Sequence, residues 1–178
     1  MSRPAPPKPA KLVIGLFTKH IRLVQPVLEQ LEDTFGPIDI ISPWFAFNWT
    51  DYYEPEMGSS LRRRMTAFGP HINQADLPDI KLQTNAIENN YTSAGSRQIN
   101  IDPGYLLAER FVLATGKNYT HRIYLGQNIY ADLTLIYQSG KFQALPWTYP
   151  DYTEAPMHTF LTRARSKYLK DLKADGQL

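Results

Sequence analysis

The chain has no cysteine. That excludes disulfides, thiolate metal sites, iron–sulfur clusters and a cysteine nucleophile. It also lacks any apolar run of about 18 residues, so nothing in it is expected to span a membrane. No glycine-rich phosphate loop is present. Gly116-Lys117 and Gly140-Lys141 each miss the earlier glycine that such a loop needs, and no G-x-G-x-x-G follows a strand-like run. H-E-x-x-H and G-x-S-x-G are absent as well. The four histidines, at positions 20, 71, 121 and 158, are too scattered for a tri-histidine metal site. The common routes to nucleotide hydrolysis, dinucleotide binding, zinc proteolysis and serine hydrolysis are therefore closed.

Charge is balanced rather than one-signed. Of the 19 lysines and arginines, Arg3, Lys8 and Lys11 sit in the first eleven residues, which carry no acid. Taking those three away leaves 16 basic against 17 acidic residues. A near-neutral body argues against non-specific nucleic-acid binding, which needs a basic face. Residues 1–10 hold four prolines and read as an extended, solvated lead-in without the apolar region of a secretory signal. The expectation is a cytoplasmic protein with a single α+β domain over residues 11–178.

The 178 residues, 43% of them hydrophobic, suffice for one substantial core. Lys11 to Phe17 reads as a buried strand. Ile21, Val24, Leu28, Leu31 and Phe35 follow at helical spacing, with Pro26 confined to the first turn. Ile38 to Phe47 returns to strand composition, and Pro43 marks an edge or bulge. Leu61 to Phe68 is a third strand. Asp76 with Asp79 signals a helix start, for a helix burying Ile80, Ile87 and Tyr91. Ser96 to Ile101 is a fourth strand. The order strand–helix–strand–strand–helix–strand is that of a ferredoxin-like βαββαβ core. Beyond it, Asp102-Pro103 reads as an N-cap and first helical position, for a helix through Leu113. An antiparallel meander over 121–125, 129–137 and 141–145 comes next, with Ile129, Ala131, Leu133 and Leu135 on one face. A terminal helix carries Met157, Phe160, Leu161, Ala164, Tyr168 and Leu172.

Four groups of residues could carry chemistry. The first is Asn100, Asp102 and Asp132, whose two carboxylates, near strand ends, could hold Mg²⁺ or Mn²⁺ against phosphate oxygens or serve as a base. Against this, Asp102 suits a helix cap and Asp132 a solvated strand face. Lys117, His121 and Arg122 could bind an anion and move a proton, although exposed pairing with acids is the plainer use. In Arg62-Arg63-Arg64, strand alternation puts Arg62 and Arg64 on one face, which suits bidentate anion recognition or a charged edge. Finally Asp51, Tyr52 and Tyr53, with Trp147, Tyr149 and Asp151, place rings beside acids in irregular chain. They could wall a pocket or simply pin loops.

These segments carry a resemblance. Thr50-Asp51-Tyr52-Tyr53, Asn100 to Tyr105, His121 to Gly126 and Trp147 to Tyr152 resemble, in order, an uncharacterised bacterial single-domain family of about this length. The resemblance implies no known activity and no catalytic residues to carry over. The function expected from the residues is binding of a phosphorylated or otherwise anionic small ligand, with metal-assisted phosphoryl or nucleotidyl transfer as its enzymatic form. The alternative is a non-enzymatic interaction or self-association module, built on segment 44–53 and the terminal helix.

Overall fold

The computed structural model describes residues 3–50 and 52–177. In chain order the strands are β1 (Ala10–Thr18), β2 (Ile38–Ile41), β3 (Phe45–Ala46), β4 (Arg62–Ile72), β5 (Thr92–Ser93), β6 (Ser96–Arg97), β7 (Asn100–Leu106), β8 (Arg110–Thr115), β9 (Arg122–Gly126), β10 (Ile129–Gln138) and β11 (Lys141–Ala144). The helices are α1 (Val24–Phe35), α2 (Glu54–Met57), α3 (Leu77–Asn90) and α4 (Ala155–Ala174). The architecture is α+β, built on one large antiparallel sheet of order β11-β10-β8-β7-β1-β4-β2. β3 continues along the outer edge of β4, and β5 with β6 forms a separate small hairpin. No helix among the described residues is long and apolar enough to cross a membrane.

β1 is central and buried along its whole length, because both its faces are covered. Leu12, Ile14 and Leu16 pack with Val24, Val27, Leu28 and Leu31 of α1 and with Ile80 and Ile87 of α3. On the opposite face Val13 and Met65 pack with Met157, Phe160, Leu161 and Ala164 of α4. Each of the larger side chains among them contributes roughly 1.5–3 kcal/mol of apolar burial. The stripe on α4 is thus consumed by its own sheet. Pro26 lies in the first turn of α1, as the spacing requires, and Gly36 (φ 90°) ends that helix.

Two expectations fail and one holds with a different cap, each for an identifiable reason. The helix expected over 102–113 does not exist: Asn100–Leu106 and Arg110–Thr115 are strands. Phe111 and Leu113 are needed on the α4 face, and Val112 and Ala114 on the α3 face. Burial on two faces outweighs a local capping signal. Pro103 is tolerated in a central strand because β7 pairs with β8 only from Gly104 to Leu106. Next, α3 does begin directly after Asp76, at Leu77, but the side-chain cap lies one turn earlier, at Asn73. The Asn73 side chain accepts from the Ala75 N–H, and the Asp76 carboxylate accepts from the Asn73 N–H, capping a short turn that leads into α3. Finally, the meander is folded back. β8 occupies one edge of β10, so β9 and β11 lie end to end along the other. A register shift between Leu133 and Leu135 also flips the alternation, which sends Leu135 to the α4 face while Ile129, Ala131 and Leu133 remain with α3.

Candidate functional site: a charged cleft where two strands part

Beyond Gly104, where β7 and β8 stop pairing, the sheet opens into a cleft of about 660 Å³. Asn100 and Asp102 line it from β7, and Leu113, Ala114 and Thr115 from β8. Lys81, Asn85 and Glu88 reach it from α3, while Tyr149 to Tyr152 enter from the turn before α4. Its walls include Tyr52, Tyr53, Tyr119, Tyr149 and Tyr152. Among the described residues, five cationic side chains line it (Arg63, Lys81, Arg97, Lys117 and Arg122) against four carboxylates (Glu88, Asp102, Asp132 and Asp151).

Arg63 is deeply buried, 4% exposed. Its guanidinium lies 4.6 Å from the Phe47 ring centre, 5.0 Å from that of Tyr152 and 5.3 Å from that of Phe17. It ion-pairs with Asp151 and stands 3.7 Å from Asp102. Lys81 donates to the Ile101 carbonyl at 2.9 Å and stands 3.8 Å from the other oxygen of Asp102. Arg122 donates to Asp132 at 2.8 Å, to the Lys117 carbonyl at 2.9 Å and to the Tyr149 hydroxyl at 3.2 Å. Arg97 grips Glu56 with two bonds of 2.7 Å and donates to Asn100 at 2.9 Å. That grip holds the Glu56 carboxyl below its usual range.

Lys117 differs from the rest. Its ammonium donates to the Tyr52 hydroxyl at 2.9 Å, and no carboxylate among the described residues lies within 4 Å of it. The bond lowers the Tyr52 hydroxyl from its ordinary pKa. Burial acts the other way on two neighbours. Tyr53 is raised, chiefly by burial and then by Asp102, and burial pushes Tyr152 up to about 12. Glu88 is likewise raised by burial, although it accepts the Ile101 N–H.

The cleft therefore gathers Tyr52, Tyr53, Asp102, Lys117, Arg122, Asp132, Tyr149 and Asp151 from distant parts of the chain. His121 stands beside it, its Nε2 3.3 Å from Asp132, with its ring stacked on Trp147 at 5.0 Å. Trp147 is a brace rather than a wall, donating to the Leu133 carbonyl at 2.8 Å. Asp132 is no solvated strand residue: it is buried against Arg122. Asp51 lies outside the described residues. The arginine strand reverses expectation. Arg62 is exposed, and Arg64 turns to Trp44 and the Ser42 carbonyl, so Arg63 is the one in the cleft. Alternation does separate Arg63 from Arg62 and Arg64, but it is the Arg63 face that meets the cleft. Lys81 and Glu88 were missed, although polar residues seven apart on a helix face that also carries Ile80 and Ile87 could have marked them.

Asp102 and Asp132 suit a divalent cation poorly. Each is already flanked by two basic side chains, Asp102 by Arg63 and Lys81, and Asp132 by Arg122 and His121. Among the described residues no group of three or more histidine, aspartate or glutamate side chains is placed to hold a metal. A hard cation would have to displace those partners.

Residues 8–168 match a family described as Domain of unknown function (DUF4416). The chain belongs to that family. No curated protein matches the chain, and no solved structure does. Membership in DUF4416 brings no ligand with it, so the cleft has to be read from its own chemistry.

Proposed function

We propose that this DUF4416 protein binds a small anionic ligand, a phosphate ester or a carboxylate, in the cleft between β7 and β8. The observation that carries this reading is Lys117. It is a cation at the mouth of an aromatic-walled cavity, held among the described residues by a tyrosine hydroxyl and by no acid. A ligand oxygen there would gain a charge-assisted bond without displacing an existing ion pair. Cavities of this size with a few convergent polar groups are the usual form of a small-molecule site. The tyrosines would flank the body of the ligand. Asp132, oriented by Arg122, and His121 beside it form the group best suited to move a proton if the ligand reacts. Because both candidate metal carboxylates have basic partners, binding is favoured over metal-assisted phosphoryl transfer.

The strand order β7-β1-β4-β2, with α1 and α3 packed on one face, supports reading this part as a ferredoxin-like unit. On that reading β8–β11 and α4 are additions, and the cleft lies where the added strands join the unit.

The test is a thermal-shift panel of phosphate, phosphate esters and carboxylates, each with and without Mg²⁺. A ligand at about 100 times its Kd adds about 2.7 kcal/mol. For a chain of this size that raises Tm by roughly 5–11 °C. The expected result is a rise that does not require Mg²⁺. A flat panel contradicts the reading.

One feature supports a second reading, self-association. β9 is a short edge strand whose Ile123 and Tyr124 are 67% and 58% exposed, an unguarded apolar edge. Sedimentation would show a concentration-dependent dimer that Ile123→Lys abolishes. A monomer at all concentrations would dismiss it.

A further inference from the structure

A second cavity, of about 740 Å³, lies between the segment Ile41 to Trp49 and the first turns of α4. Its character is different. Trp44, Phe45, Phe47, Trp49, Pro156 and Phe160 dominate its lining, and its charged residues, Arg63 and Arg163 with Asp151 and Glu154, balance. It does not stand alone, because Phe47, Trp49, Arg63 and Asp151 line both cavities. They are a shared wall. In that wall the Arg63 Nε is buried and has no hydrogen-bond partner among the described residues. An unsatisfied buried donor is costly, so a site that supplies an acceptor gains by it.

We propose that the two cavities are one bipartite site for an amphiphilic anion. The acid group lies in the polar cleft, and an apolar chain or ring passes Arg63 into the aromatic groove. This deepens the anion-binding reading and rests on it. The charge distribution sets the polarity of the ligand: the cleft offers Lys117 to a head group, whereas the groove offers indole, phenyl and proline rings with its few charges balanced. Arg63, held among three rings, suits the junction, since a guanidinium can meet an oxygen at its edge and an apolar group at its face.

Calorimetric titration with methyl, butyl and hexyl phosphate tests this, using the wild type and Thr159→Trp. Thr159 lines the groove from an exposed position on α4, so the indole fills the groove without entering the core. Affinity is expected to rise about fourfold for each methylene buried. In Thr159→Trp, methyl phosphate should bind as in the wild type, with the chain-length gain lost. If methyl phosphate binds but longer chains add nothing, or if the gain persists in Thr159→Trp, the bipartite site is wrong and the anion site stands. If neither these phosphates nor the matching carboxylates, acetate, pentanoate and heptanoate, bind, both readings fall.

Discussion

The two ends of the central strand carry similar charges put to opposite uses. At the start of β1, Lys11 is completely buried and donates to Asp39 at 2.9 Å and to the Phe68 carbonyl at 2.8 Å. Asp171 lies 3.8 Å away, and Lys167 closes the ring with bonds of 2.7 Å to Asp171 and a contact of 3.4 Å to Asp39. Two lysines face two aspartates across β1, β2 and α4. At the far end, by Phe17, the charges surround a cavity, and Lys117 answers to a hydroxyl. Neither residue type nor burial of charge separates a clasp from a binding site. Closure does: where each charge is matched within a packed cluster the chemistry is spent on the fold, and where a cation faces a cavity it is left for a ligand.

The contrast can be broken first at the clasp. Lys11→Ala leaves Asp39 and Asp171 with Lys167 alone and opens a hole beneath α4. Removing one partner of a buried pair costs about 3 kcal/mol at the lower end of the usual range, and these acids keep some water. Calorimetry should show Tm falling by roughly 6–12 °C, with anion affinity unchanged within about twofold. A large loss of affinity would mean that the two ends are not independent.

Arg122→Ala should cost somewhat less, about 2 kcal/mol, since buried Asp132 keeps His121 at 3.3 Å. Chemical denaturation would measure it. Because Arg122 also holds the Lys117 carbonyl, anion affinity should fall too, which is the reverse of the outcome at Lys11.

Glu88 gives a smaller effect with a definite sign. Burial raises its carboxyl pKa, so the folded state binds that proton more tightly than the unfolded chain does. The resulting stability is present below the unfolded carboxyl pKa of about 4.3 and is lost as pH rises through the folded value. Stability of Glu88→Gln relative to wild type should therefore improve as pH increases across that window. Urea melts at a series of pH values would show it, and a difference independent of pH would contradict the burial.

The smallest stability effect belongs to Lys117→Met, expected within about 0.5 kcal/mol of wild type because the side chain is exposed. Its signature is spectroscopic. Ultraviolet titration of the wild type should show a tyrosine ionising before the others, and the variant should lose that early step as Tyr52 returns toward about 10.

How far the chain could be read in advance follows the same physics. α1 and α4 were legible because their apolar stripes keep helical spacing over several turns. The strand at Asp102-Pro103 was not, since its local signals are those of a helix cap and only the pairing with β1 makes it a strand. Aromatic and charged residues in irregular chain, such as Tyr52, Lys117 and Asp151, were visible as site material. Their convergence was invisible, because it depends on β7 and β8 parting at Gly104. Arg63 shows the limit most plainly. Alternation separates it from Arg62 and Arg64, but which face meets Phe17, Phe47 and Tyr152 is decided by partners far along the chain.

The most direct test of the central claim is a calorimetric titration of one phosphate ester into three proteins: wild type, Lys117→Met and Lys167→Met. Both variants remove one lysine, the first from the open cleft and the second from the closed clasp. Binding by wild type and Lys167→Met, with a loss of tenfold or more in Lys117→Met, is the predicted result. Equal affinity in all three, or equal loss in both variants, would contradict the assignment of the cleft as the anion site.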